Sequence, residues 1–492
     1  MLFAAAVIAV YYLLPDKAKW PWLLISSVAF FVLASSWKMI PYLLYGLIVT
    51  YFGAQWIQKT EDAKKRKAVL VVTIILTLVE LIALKYLNLF VIGARGFAKI
   101  FSIHIGLEMV SIAAPLGISY YTLSLLGYVL DVYREVTPAE PSFLKHALFA
   151  CYFPQITSGP VTRFGEMREQ LFTPHAYDYE TVVRGLQRGA WGLFKKMVIA
   201  DRLSVIVKAV YLHYDSFSPL MVIVATICFA FELYAEFSGG MDIIMGVSEA
   251  LGVRLPENFN RPFFSRTLGE FWRRWHITLG LWFKDYMLYP ILKSDGLQKT
   301  GRKLKKRFGK NAGKKMTTYI GLLVLWLAIG IWHGGSMKFL FASGILQWFY
   351  IIISESVQPA LARLSGRLRL DNEHGWFPWV ARLRTLLLIC FGFIFICADS
   401  FGTGVKTVGW ILTGWNTTLF YQPDWIWLQY ALLALGLVVL FLVDYMANSG
   451  VDVRTWVSKR GWYVRWPMYW ALITMIILSV NFSTKEFLYA QF

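Results

Sequence analysis

The sequence predicts an all-α, polytopic integral membrane protein with about 11–13 transmembrane or re-entrant helices. Three observations carry this. Of 492 residues, 57% are hydrophobic and 17% aromatic, with a mean hydropathy of +0.52. A soluble domain of this length cannot bury that much apolar surface. Many stretches also exceed the roughly 18 apolar residues that mark a membrane span. Finally, the formal charge of +19 is gathered into short Lys/Arg-rich loops, the pattern of cytoplasmic loops rather than of a nucleic-acid-binding face.

Taken in order, residues 1–14, 20–37 and 41–57 read as three closely spaced helices. The first is read as a membrane helix and not a removed signal peptide, because no A-x-A-like cleavage site follows it. The basic segment 59–67 is placed in the cytoplasm, and 68–92 crosses outward. Residues 94–109 suit an external interfacial helix, with His104 on its surface. Residues 111–130 return inward as a kinked, tightly packed helix containing Pro115. Residues 143–153 are too short to span and run into PQITSGPVTRF, so a re-entrant element is expected there, buried in protein or lining a cavity.

Residues 181–202, with Arg184, Arg188, Lys195, Lys196 and Arg202, fit a helix near the cytoplasmic face. The span 219–237 carries Glu232 and Glu236, with Asp242 just beyond. Carboxylates at membrane depth are costly, so they are either functional or paired with nearby cations at the boundary. Residues 293–315 form a strongly basic loop, which anchors the topology or attracts an anionic cytosolic donor. Alternating spans then cover 337–354, 385–398, 425–445 and 466–482, with the C-terminus outside the cytoplasm. The expected organisation is a single membrane domain over 1–492, made of N-terminal helices (1–110), a catalytic core (111–356) and C-terminal helices (357–492). Cys151, Cys228, Cys390 and Cys397 lie in apolar surroundings without metal-ligand spacing and read as inert thiols.

The chemistry is concentrated between Arg254 and Ser336. Two histidines stand there, each after a tryptophan: Trp275-His276 and Trp332-His333. Sixteen residues from Thr317 to Trp332 climb about 24 Å as a helix, which puts His333 most of the way across a core of about 30 Å. His276 lies in an arginine-rich segment read as cytoplasmic, so the two imidazoles are expected at different depths. His333 could accept a hydroxyl proton, relay an acyl group, or simply bond between helices. Around His276, Arg273 and Arg274 supply cations, and Asn258 and Asn260 supply amide donors for a thioester carbonyl developing negative charge. The alternative is an aromatic–arginine belt at the interface.

At these residues the sequence resembles the membrane-bound O-acyltransferase family. The resemblance is carried by PENFNRPFFSRTLGEFWRRWHITLGLWFKDYMLYP and GIWHGGSMKFLFASGILQ. Upstream, in the expected order, come LGISYYTLSLLGYVLDVYRE, FPQITSGPVTRF and FELYAEFSGGMDIIMGVS. The match spans at least residues 116–347, and the terminal FLYAQF is similar too. It is strongest toward the bacterial branch holding alginate O-acetyltransferase membrane subunits, with teichoic-acid D-alanylation proteins nearby. It implies a ring of tilted helices around a central tunnel in a bacterial cell membrane. It also implies His333 as the catalytic residue and His276 as the second signature position.

Asn258, Arg273, Arg274, Trp275, Trp332, Glu236 and Ser336 are then expected to line the substrate path. Where relatives carry D-F-S-G-Y, this chain has Glu236-Phe237-Ser238-Gly239-Gly240, which leaves the role of that carboxylate open. The implied donor is acyl-CoA (acetyl-CoA) or an acyl carrier thioester, with no bound cofactor and no metal. The implied acceptor is an extracytoplasmic polysaccharide, cell-wall glycan or partner acyltransferase. Membrane lipids are partners and nucleic acid is not. D-alanyl transfer to teichoic acid is a second reading. A transporter of glycan or lipid without covalent chemistry is a third, and it would call for inverted repeats.

Overall fold

The computed structural model describes residues 2–480 apart from 102, 104, 105, 107, 109–113, 369, 370, 372 and 373. The expected surface position of His104, part of the 94–109 segment, and the C-terminal FLYAQF with its expected external side lie outside the described residues. Among the described residues the chain is helical throughout, with one isolated antiparallel bridge, Phe259 to Trp275, in place of any sheet. Among the described residues, eight helices are long and apolar enough to cross a membrane: Asp16–Ala34, Trp37–Lys59, Ala63–Arg95, Pro219–Ala250, Lys310–Trp332, Met337–Arg367, Phe377–Cys397 and Trp427–Asn448. The protein is a multi-pass membrane protein.

The chain forms two compact units, Met1–Gly189 with Met241–Pro256, and Ala190–Gly240 with Glu257–Phe492. In the first, Tyr11, Tyr128, Phe149, Tyr152 and Phe164 are fully buried at the centre. The nine-residue helix Phe143–Cys151 stops where the prolines and glycines of the following segment predict. The turn after it is buried and non-helical. Gln155 Nε2 holds it by donating to the Pro160 carbonyl (3.1 Å) and to Thr162 Oγ1 (3.2 Å). Gly117, at φ +71°, lies directly against the Ile156 carbonyl of this turn, so no Cβ fits there.

The second unit packs around Phe194, Phe229, Tyr234, Phe271, Trp275, Phe393 and Leu433. One sequence expectation changes inside it, and one is filled in. The basic segment 293–315 is not a loop but a helical hairpin: Asp295–Phe308, a hinge at Gly309 (φ +85°), then the first turns of Lys310–Trp332. Lysine and arginine are good helix formers. Ser294 caps the start by accepting from Leu297 N, and Gly301 faces Thr317 closely enough that the two helices touch there.

The second addition concerns Lys195 and Lys196, on the segment expected near the cytoplasmic face. Both are buried in a π-helical turn, Lys195–Ala200. Lys195 Nζ donates to Ser238 Oγ (2.8 Å), and Lys196 Nζ pairs with Glu236 (2.8 Å) and Asp201 (3.0 Å). The desolvation cost of a lone ammonium forces such pairing. In the first unit Asp242 is likewise paired, with Arg188 at 3.0 Å.

Candidate active site

The site is built by a short irregular segment that folds back on itself. Phe259 pairs with Trp275 in the isolated bridge. Asn260 N donates to the Arg274 carbonyl (2.8 Å) and Ile277 N to the Asn258 carbonyl (3.0 Å). Between these rungs, the helix Leu268–Arg274 starts at a Thr267 cap that accepts from Glu270 N (3.1 Å). The chain leaves the bridge at His276, whose backbone is left-handed (φ +46°) although it is not glycine. Such a conformation persists only where the surroundings over-determine it. Here the bridge on one side and the helix Ile277–Phe283 on the other do so.

From that turn, seventeen consecutive residues are helical: Ile277–Phe283, a π turn Lys284–Leu288, and Tyr289–Lys293. This arm runs about 25 Å, nearly the same length as the rise from Thr317 to His333, and packs beside it in the opposite direction. Leu288 and Leu292 press on Gly321 at one level, and the Phe283 and Trp332 rings meet at 6.3 Å higher up. The ends therefore come level, with the rings of His276 and His333 6.5 Å apart between centroids. The expected separation of the two imidazoles is corrected by this second helical arm, which brings His276 level with His333.

His333 caps the helix Lys310–Trp332, its N–H donating to the Ile329 carbonyl (3.1 Å). Gly334 (φ +123°) and Gly335 (φ +67°) turn the chain sharply behind it, in dihedrals that favour glycine. Phe237 stands edge-on to the His276 ring at 4.8 Å. Asn258, only 1% exposed, presents its Oδ1 to His276 Nδ1 (3.2 Å), Thr278 N (3.1 Å) and Thr278 Oγ1 (2.9 Å). Burial, and secondarily the adjacent His333 imidazole, hold His276 well below the ordinary histidine range. It is thus neutral at physiological pH, the form that accepts a proton.

The other expected residues divide. Trp275 is buried in an aromatic cluster, stacked on Phe271 at 5.4 Å and edge-on to Phe259 at 5.0 Å. Arg274 is engaged with Glu270 (2.6 Å) and Asn448 Oδ1 (2.7 Å). Glu236 is held by Lys196. Arg273 and Ser336 are exposed, and Ser336 serves the next turn through its carbonyl, which accepts from Phe339 N and Leu340 N. Trp332 is half-buried beside Phe283.

Sequence reasoning missed Phe237, Thr278 and Lys196. The H-I-T triplet held a signal for Thr278, since a hydroxyl residue at a helix start commonly anchors a local hydrogen bond. Lys196 lies forty residues from Glu236, and nothing in either segment announces the pairing. The arrangement offers chemistry that needs a neutral base: two adjacent imidazoles, one fixed by a carboxamide, beside backbone freed by two glycines.

Comparison with known proteins agrees with the motifs. Residues 71–304 match the model of the membrane-bound O-acyltransferase family, a stretch that includes His276 and ends before His333. The chain is 30% identical over 347 residues to the "Probable alginate O-acetylase AlgI" of Azotobacter vinelandii, covering 69% of this chain and 64% of the relative. It is 28% identical over 361 residues to the "Peptidoglycan O-acetyltransferase" of Helicobacter pylori, covering 67% and 64%. Against the "Teichoic acid D-alanyltransferase" of Bacillus subtilis it is 23% identical over 292 residues, covering 58% and 69%. The chain thus spans 64% of the length of the first two relatives, just under two-thirds. On the matched region and the motifs within it, the chain carries a domain of the membrane-bound O-acyltransferase family.

Proposed function

We propose that the protein is an O-acyltransferase. It moves an acyl group, acetyl in the first instance, from a cytosolic thioester to a hydroxyl on an extracytoplasmic polysaccharide, cell-wall glycan or partner transferase. The observation that carries this is the juxtaposition of His276 and His333, 6.5 Å apart between ring centroids. The names of the relatives support the same chemistry, and the basic hairpin at 293–315 supports a cytosolic, anionic donor.

In this reading His333 takes the proton of the acceptor hydroxyl, whose oxygen then bonds to the thioester carbonyl carbon. The carbonyl oxygen gathers negative charge, the C–S bond breaks, and the departing thiolate receives the proton back from imidazolium. His276, kept neutral, stabilises or relays that proton. Arg273 serves the donor side, and Trp332 lines the approach to His333. The paired Glu236 and Arg274 and the buried Trp275 support the site without touching substrate.

The test is purified protein in lipid bilayers given labelled acetyl-CoA and, separately, labelled carrier-protein thioesters. Transfer of label to a hydroxyl acceptor, lost in His333→Ala with the fold intact, is the expected result. Normal transfer by His333→Ala would falsify the role given to that histidine. A second reading, D-alanyl transfer, rests on the similarity to the Bacillus subtilis protein, and label moving only from a D-alanyl carrier thioester would favour it.

A further inference from the structure

The neighbours of His276 decide which of its nitrogens carries the proton. Thr278 N–H can only donate, so the Asn258 atom 3.1 Å from it is the carboxamide oxygen. The same oxygen accepts from Thr278 Oγ1 at 2.9 Å. The carboxamide is therefore oriented, and its Nδ2 points away into a buried position without a hydrogen-bond partner. His276 Nδ1 lies 3.2 Å from the oriented oxygen. An oxygen acceptor requires N–H opposite it, so in the neutral ring Nδ1 is protonated and Nε2 holds the lone pair. The Asn258 carbonyl, accepting from Ile277 N at 3.0 Å, ties the two residues into one register.

We infer that Asn258 is a positioning residue: its Oδ1 fixes the Nδ1–H tautomer and the ring plane of His276, leaving Nε2 as the nitrogen that accepts or relays a proton. The use of that proton rests on the acyl-transfer reading, whereas the tautomer does not. The assignment also replaces the expectation that the Asn258 side chain acts as a simple substrate contact. Its oxygen is committed within the protein, and only Nδ2 remains to face a ligand.

The experiment uses the full chain, labelled with ¹⁵N on histidine, in lipid bilayers, with His276 assigned by difference against His276→Gln. Solid-state NMR distinguishes a protonated ring nitrogen from a bare one. The expected spectrum shows His276 with Nδ1 protonated and Nε2 bare, and Asn258→Leu adds the opposite tautomer. Asn258→Asp, which keeps an acceptor oxygen, retains Nδ1–H and guards against misfolding of the leucine variant. In turnover, Asn258→Leu lowers kcat on the order of 10²-fold with KM for the donor changed by less than roughly twofold. Asn258→Asp restores at least about tenfold of that loss.

Wild-type protein with Nε2 protonated overturns the inference. So does Asn258→Leu with raised KM and intact kcat, which would make Asn258 a substrate contact after all. A protein showing Nδ1–H but transferring no acyl group from any thioester sinks the acyl-transfer reading and leaves the tautomer assignment standing.

Discussion

Lys196 Nζ lies 2.8 Å from Glu236 Oε1, in a pair whose side chains are 11% and 4% exposed. Breaking such a pair leaves an uncompensated charge, so Lys196→Met is expected to cost about 3–5 kcal/mol of stability. The double variant Lys196→Met/Glu236→Leu should recover much of that loss, because both charges leave together. Thermal unfolding of the four proteins in detergent closes the cycle. Equal, additive losses would show that the two side chains do not depend on one another.

Arg273 and Arg274 are adjacent but differently placed. Arg274 holds Glu270 and Asn448, whereas Arg273 is exposed. Arg274→Ala is expected to destabilise by about 1–3 kcal/mol, and Arg273→Ala to leave the unfolding temperature unmoved while raising KM for an anionic thioester. Donor titrations paired with melting curves separate the two, and a stability loss at Arg273 would contradict the division.

Two histidines outside the candidate spans make the fold acid-sensitive. Burial pushes His146 down to about 3, and burial with the His333 neighbour depresses His276. For a depressed histidine the unfolded chain binds the proton first. Stability is therefore fully present above about pH 6.5, the unfolded value, and is lost as pH falls toward the folded value. Between pH 6.5 and 5 the His146 contribution should fall by up to about 2 kcal/mol. Unfolding midpoints measured across that range should fall in the wild type and fall less steeply in His146→Gln. Parallel slopes would remove His146 from this account.

Gly117 meets the Ile156 carbonyl at a left-handed φ of +71°. Gly117→Ala should cost about 1–3 kcal/mol from the backbone alone, and more because the turn holding Gln155 must move. Reduced yield of folded protein and a lowered melting temperature are expected. An unchanged melting temperature would mean that this turn yields freely.

Much of the architecture was readable from the residues. Hydropathy located the long helices, and Pro and Gly located the break after Cys151. The two W-H motifs marked the pair of histidines that the fold brings together. What could not be read was how the motifs meet. The adjacency of His276 and His333 depends on a left-handed turn at a histidine, where propensity argues against one, and on a π turn that keeps 277–293 helical beside a distant segment. The burial of Lys195 and Lys196 went unread for a related reason. Composition assigns lysine to the cytoplasmic face, whereas burial against a carboxylate forty residues away is a property of packing. The helical hairpin at 295–332 was legible in principle, through the Ser294 cap and the Gly309 hinge.

The two arms that bring His276 and His333 level work as a matched pair of rulers. Each added residue advances a helix about 1.5 Å and turns it about 100°. A single insertion between Ile277 and Leu288, or between Gly321 and Trp332, would leave the Leu292–Gly321 end seated. It would swing one imidazole out of line with the other. Length in these two segments is thus constrained jointly.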